Sequence, residues 1–320
     1  MSGADTDHLG GFQRRQGLLE RRPPGVGDAG GLNVYVAELA KHTEPNWIHD
    51  RYALGYYTRF VSLTVDAGAA ALGRPAGLDG PAVRATCAAW QLDDSRFVAA
   101  DETECFVAWT PAAVVVAFRG TASPGDWLAD LNIQSTKRDY GIVHRGFYTA
   151  FKAVEPQLRA ALGGVAGRPI VLTGHSLGGA LAAVAAAEWA DAFPVASLYT
   201  YGQPATGKHG FANFLAAKYP DRIFRVVNDD DIVPQVPPTF EHVGRLLRFD
   251  GSGNLRPGTE SVGTDTARVM SRPGFDRLRM QLLERRLAGG AAPAGHAEGL
   301  FPSVSDHSLD RYLERIARMV

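Results

Sequence analysis

Residues 169–182, Pro-Ile-Val-Leu-Thr-Gly-His-Ser-Leu-Gly-Gly-Ala-Leu-Ala, constrain this chain more than any other stretch. The apolar run Ile170 to Leu172 predicts a strand, and the Ala-rich run Ala180 to Ala187 predicts a helix that starts a few residues later. Only a sharp turn through Gly174-His175-Ser176-Leu177-Gly178 can join the two. A serine lifted onto such a turn is strained and crowded by backbone, so the positions two before and two after it must lack a side chain; Gly174 and Gly178 meet that demand. The same geometry aims the first helical amides, that of Leu177 among them, at any charge developing beside the serine oxygen. Ser176 is therefore the expected nucleophile.

A nucleophilic serine needs a general base, and the base needs an orienting carboxylate. Downstream of Ser176, acids crowd together in Arg225-Val-Val-Asn-Asp-Asp-Asp-Ile-Val-Pro234, where a β-branched strand ends in Asp229, Asp230 and Asp231 before a proline turn. From the residues alone the three are nearly indistinguishable. Four histidines follow the turn: His209 opens the helix Phe211 to Tyr219, His242 precedes the strand Leu246 to Phe249, and His296 lies among Ala, Gly and Pro. His307 stands just before an amphipathic terminal helix marked by Leu309, Tyr312, Leu313 and Ile316, where a loop can swing an imidazole over the end of the sheet. It completes the chain order serine, acid, histidine and is the expected base. His144 and His175 read as packing and hydrogen-bonding residues near the turn.

On the other side of the nucleophile, Cys105 to Trp109 and Ala113 to Phe118 are separated by Thr110-Pro111-Ala112 and predict a hairpin. Thr121 lies just past the second strand and follows Gly120, which suits its N–H to an oxyanion beside that of Leu177. The position is equally compatible with capping the next helix.

Taken together, Phe118-Arg-Gly-Thr, Asp126-Trp-Leu-Ala-Asp-Leu131, Val143-His-Arg-Gly-Phe147, Gly174-His-Ser-Leu-Gly-Gly-Ala-Leu-Ala182 and Tyr201-Gly-Gln-Pro204 resemble the fungal-type, class 3 lipases. The resemblance runs from about Ala100 to the C-terminus. It implies an α/β-hydrolase fold, a mostly parallel central sheet with helices on both faces, and a Ser-His-Asp triad acting on carboxylic esters, mostly acylglycerols. It selects Asp231, directly before Ile232-Val-Pro234, as the triad acid, and implies Thr121 and Leu177 as the oxyanion hole. It also implies a mobile lid over 123–131, with Trp127, Leu128 and Leu131 on one side and Asp126 and Asp130 on the other. Residues 24–41 separately resemble the Gly-rich loop of retaining two-Rossmann-domain glycosyltransferases. They lack a preceding strand and a second domain, so no function is carried over from them.

The expected organisation is a loosely ordered arm over residues 1–45 and one hydrolase domain over 46–320, with a helical insertion near 260–300. Within the domain, Tyr52, Tyr56, Phe60 and Leu63 recur at roughly helical spacing, which suggests a helix laid across the sheet. In the insertion, Pro273 to Ala288 pairs an apolar side, Phe275, Leu278, Leu282 and Leu283, with Arg277, Arg279, Arg285 and Arg286. It reads as a flank helix, a second flap or a contact for anionic lipid. A net charge of −1 gives no general reason to expect nucleic acid. No Cys/His cluster has metal-ligand spacing, and the reaction needs no cofactor and no protein partner, only a lipid or other ester substrate, at an oil–water or membrane interface if the lid moves. Neither an apolar spanning run nor a leader is seen, and Cys87 and Cys105 make no disulfide framework, so a cytoplasmic location is expected, with unconventional export as the variant. Rival readings on the same triad are a phospholipase, a feruloyl esterase or an acyltransferase. Further off stands a non-catalytic module that binds lipid or sugar-nucleotide.

Overall fold

The computed structural model describes residues 54–62 except 56 and 60, then 92, 94–109, 113–121, 134–164, 167–260 and 305–319. The arm at 1–45 with its Gly-rich stretch, the lid at 123–131 and the insertion between 261 and 300 lie outside the described residues, as do Tyr52, Tyr56, Phe60 and Leu63.

Eight strands form one sheet. β1 (Asp94–Ala100), β2 (Thr103–Trp109) and β3 (Val114–Phe118) make an antiparallel meander, which includes the expected hairpin. β3 then pairs in parallel with β6 (Ile170–His175), followed by β7 (Val195–Tyr201), β8 (Ile223–Asn228) and β9 (Arg245–Phe249), and antiparallel β10 (Leu255–Glu260) closes the far edge. A separate two-stranded ribbon, β4 (Ser135–Arg138) with β5 (Gly141–His144), leads into α1 (Arg145–Gly163). The parallel centre requires crossovers: α1 lies between β3 and β6, α2 (Leu177–Glu188) between β6 and β7, and α3 (His209–Lys218) between β7 and β8. α4 (Leu309–Ala317) ends the described fold.

Side-chain alternation decides the layers. Along β3, Val114, Val116 and Phe118 face a core built with α1, α2 and α3, whereas Val115 and Ala117 face a second core on the opposite side. The second core is closed by a helical stretch carrying Leu54, Tyr57 and Val61 and by Leu309, Tyr312, Leu313 and Ile316 of α4. The apolar strands of the centre are thus covered on both faces, as parallel strands require.

α2 is the helix best protected from water. From Gly178 to Ala187 all of its residues are buried, which explains why small apolar residues replace an amphipathic stripe: α2 packs on the sheet on one side and against α1 on another. Polar groups also link the two helices, since the indole N–H of Trp189 donates to Glu155 on α1 at 3.2 Å, and Glu155 pairs with Lys152 and Arg159. Phe151 of α1 is fully buried, its ring 6.2 Å from that of Phe118 and 5.6 Å edge-on to Trp189. Phe151→Ala therefore removes the aromatic wedge between sheet and crossover helix, with an expected loss of about 3–5 kcal/mol in urea unfolding.

Candidate active site

The turn between β6 and α2 has the strain its sequence demands. Ser176 has φ 56° and ψ −129°, a backbone conformation that costs about 1–3 kcal/mol for a residue with a side chain. Its N–H donates to the Tyr201 carbonyl at the end of β7, 2.9 Å away, so the turn is tied to the neighbouring strand. A Cβ on Gly174 would lie 2.2 Å from the carbonyl carbon of Gly178, and one on Gly178 would lie 2.2 Å from the Phe118 carbonyl oxygen. Neither position can hold a side chain without moving backbone.

Gly120 extends the same contact to the loop after β3. A Cβ there would lie 2.7 Å from the His175 carbonyl oxygen and 3.3 Å from Ser176 Cβ, so the backbone entering Thr121 runs directly against the serine. Arg119, one residue earlier, is fixed to β2 twice: its N–H donates to the Glu104 carbonyl at 2.9 Å and its guanidinium to the Glu104 carboxylate at 2.5 Å. Leu177 opens α2 as its first residue, a position whose N–H has no partner within the helix. Both expected oxyanion residues thus flank Ser176.

Asp231 and His307, separated by 75 intervening residues, meet beyond the carboxyl ends of the parallel strands. His307 Nδ1 lies 2.8 Å from Asp231 Oδ2 and 3.0 Å from Oδ1, with both side chains buried. The carboxylate also accepts the Val233 N–H at Oδ1, 2.9 Å, and the Tyr312 hydroxyl at Oδ2. Asp230 is turned away and pairs with Arg248 at 3.2 Å, and Asp229 has φ 40° at the end of β8. His307 Nε2 and Ser176 Oγ are both buried, and neither is bound to another group.

Three further residues hold this pair: Gly202, His175, expected to pack and hydrogen-bond near the turn, and Tyr312. Gly202, at φ 58°, has no room for a Cβ, which would meet Asp231 Oδ2 and His307 Cε1, each at 2.8 Å. The Tyr201-Gly-Gln-Pro204 block was the available signal for it. His175 Nε2 lies 2.7 Å from the His307 carbonyl oxygen, which fixes its tautomer with the proton on Nε2, and its ring centroid is 4.6 Å from that of His307. Tyr312, read from the sequence as core, is the third. Among the other histidines, His144 caps α1 by accepting the Phe147 N–H at 3.4 Å, His242 bonds the Pro234 carbonyl at 2.6 Å, and His209 is exposed beside Glu241. His296, Trp127, Leu128, Leu131 and Cys87 lie outside the described residues; Cys105 is buried and unbridged.

Comparison with known proteins decides the lineage. The family model Lipase (class 3) matches residues 115–241, a span that contains Thr121, Ser176 and Asp231. The chain is 39% identical over 220 residues to secreted mono- and diacylglycerol lipase 1 of Fusarium solani, covering 64% of this chain and 66% of that protein. It is 34% identical over 152 residues to a lipase of Rhizomucor miehei, covering 41% and 40%. The solved Rhizomucor miehei triacylglyceride lipase superposes with TM-score 0.54 at 26% identity, covering 69% of this chain and 89% of that one. Over residues 115–241 the chain matches the class 3 lipase family. Its fold is accordingly the α/β-hydrolase fold, although it spans less than two thirds of the length of the curated relatives it matches.

The relatives correct one expectation. The relatives from Fusarium solani and Penicillium camembertii are both named as secreted, which overturns the cytoplasmic location read from the first residues and the cysteine usage. No helix among the described residues is long and apolar enough to cross a membrane, and no group of ligands for a metal ion occurs among them.

Burial holds His175 well below the ordinary imidazole range, and the nearby His307 adds to the effect, so its ring is neutral in the folded protein. The unfolded chain binds a proton that the folded chain refuses. Stability contributed by neutral His175 is present above the unfolded value of about 6.5 and falls as pH drops below it, by at most about 1.4 kcal/mol per pH unit. His175→Gln retains an N–H donor and should flatten that part of the stability–pH curve, measured by denaturant unfolding between pH 7 and 5.

Proposed function

We propose that this protein is a serine hydrolase of lipid carboxylic esters, with acylglycerols as its substrates. The single observation that carries the reading is the docking of His307, paired through Nδ1 with Asp231 and uncommitted at Nε2, on the residue next to the strained, buried Ser176. In the proposed reaction Ser176 Oγ attacks the ester carbonyl carbon while His307 Nε2 takes its proton. The Ser176–His307 hydrogen bond that this step needs forms when substrate is bound. The carbonyl electron pair moves onto oxygen, which the Leu177 and Thr121 amides hold. Collapse expels the alcohol with the proton from His307 and leaves an acyl-serine. Water, deprotonated by the same nitrogen, then attacks the acyl carbon, and Ser176 Oγ leaves with the proton as the fatty acid forms. Asp231 keeps the imidazole in one tautomer throughout and stabilises its cation.

The relatives named as mono- and diacylglycerol lipases support the acylglycerol class, and their secretion supports a site of action outside the cell. A phospholipase A(1) of Arabidopsis thaliana is 29% identical over 150 residues, so phospholipid is the comparison substrate. Ser176 is wholly buried, and an acyl chain reaches it only when the site opens. The sequence over 123–131, with its amphipathic turn, is the proposed cover, and an oil–water interface the proposed trigger.

The test is hydrolysis of p-nitrophenyl esters from butyrate to palmitate, beside emulsified diacylglycerol and phospholipid vesicles. Ser176→Ala should abolish turnover, and Asp231→Asn should lower kcat about 10⁴-fold by admitting the wrong tautomer. Diacylglycerol cleavage should rise steeply once droplets form. Equal activity in Ser176→Ala would refute the hydrolase reading, and preference for phospholipid would replace acylglycerol as the substrate class.

A further inference from the structure

Asp231 makes one contact that a minimal triad does not require. Tyr312, the fourth residue of α4, places its hydroxyl on Oδ2 of the triad carboxylate and on the Asn228 N–H, 3.0 Å away. The direction of both bonds is forced. A backbone N–H can only donate and an ionised carboxylate can only accept, so the phenol accepts from Asn228 and its single proton points to Asp231. The ring is fully buried and packs at a steep angle to the rings of His175, 5.7 Å away between centroids, and Tyr201, 6.3 Å away, which limits its freedom to turn. Burial first, and then the charge on Asp231, hold the phenol well above its ordinary range, so it remains a donor at every working pH.

We infer that Tyr312 is a positioning residue of the catalytic machinery, one that locks the Asp231 carboxylate and moderates the negative charge it presents to His307. This rests on the proposed triad chemistry. The Val233 N–H holds Oδ1 and the Tyr312 hydroxyl holds Oδ2, so the carboxylate cannot rotate about its Cβ–Cγ bond and both oxygens stay in reach of Nδ1. The hydroxyl also draws charge from Oδ2, the oxygen nearer to His307. Without it, Asp231 would stabilise the imidazolium more strongly, and the base would hold its proton to higher pH. The moderated carboxylate leaves His307 able to accept a proton from Ser176 and yet release it to the leaving alcohol.

The other charged or titratable groups around the pair stay in place when only this hydroxyl is removed. They are neutral His175 on β6, Tyr201 on β7, Asp229 and Asp230 after β8, Arg248 on β9 beside Asp230, Asp306 in the His307 turn with Arg311 near it, and Arg59 opposite Asp310. A change in the pH profile therefore reads the hydroxyl itself.

The experiment is the pH dependence of kcat/KM for p-nitrophenyl butyrate, measured on the full chain with Ser176→Ala as the blank. Tyr312→Phe should lower kcat roughly tenfold, the share of one hydrogen bond to a charged group, with KM unchanged, and should move the acid limb to higher pH. Replacement of Tyr312 by 3-fluorotyrosine keeps the packing and strengthens the donor, and should move the acid limb the opposite way. This second variant decides the matter if Tyr312→Phe does not fold. An acid limb unmoved in the folded variants, with wild type active, overturns the positioning role alone. A wild type no more active than Ser176→Ala overturns the hydrolase reading, and the role of Tyr312 with it.

Discussion

The structure depends on one close approach of backbone to backbone. β6, α2 and the loop after β3 converge at Ser176 to distances that no Cβ tolerates: Gly174 lies against Gly178, Gly178 against Phe118, and Gly120 against His175. With a side chain at any of these positions the turn would have to open, and the first amides of α2 would no longer face the same point as the backbone at Thr121. The strain of Ser176 is sustained because its surroundings over-determine it. Its N–H is bonded to β7, α2 is buried from Gly178 to Ala187, and Arg119 is tied to β2 by both backbone and side chain. The serine proposed as nucleophile is thereby oriented before substrate arrives, which is where preorganisation gains most.

The Asp231–His307 pair depends on a different kind of constraint, contact between residues far apart in the chain. His307 enters from a turn at the end of the chain, and two anchors settle where that turn lies. Leu309, Tyr312, Leu313 and Ile316 bury α4 in the second core, while Asn228 Nδ2 donates to the Asp306 carbonyl at 2.9 Å and His175 bonds the His307 carbonyl at 2.7 Å. The first anchor is hydrophobic and tolerant of small shifts; the second is directional and fixes the imidazole to fractions of an ångström. Both are needed, because apolar packing alone does not choose among nearby registers of a short helix.

Sequence and structure agree most where covalent neighbours make the geometry. The turn at Ser176 was legible because strand, turn and helix are contiguous and the glycine spacing follows from sterics. The hairpin of β2 and β3 and the helix opened by His209 were legible for the same local reason. Asp231 could not be separated from Asp229 and Asp230 by the residues alone, since the choice is made by the path of the chain after β8; only the family resemblance selected it. Gly202 and Tyr312 were missed as members of the site, and the partner of His175 was not foreseen, because the contacts are to distant elements, 132 residues away for the bond from His175. β1, β4, β5, β10 and α1 were also not anticipated; the β4 and β5 strands are only four residues each, too short for a period to declare itself.

Tyr312 shows why core and site are hard to tell apart from sequence. It recurs at helical spacing with Leu309, Leu313 and Ile316, and its ring does pack in the second core as that spacing predicts. Only the hydroxyl departs from the apolar pattern, and a buried hydroxyl must find partners. Here the partners are the Asn228 N–H and the carboxylate that orients the base. A phenylalanine would satisfy the packing equally and leave Asn228 N–H and one lone pair of Asp231 unmet in a site shielded from water, where such losses are greatest. The same side chain therefore joins the hydrophobic anchor of α4 to the electrostatics of the triad, so that docking of the last helix and completion of the proposed catalytic site are a single event.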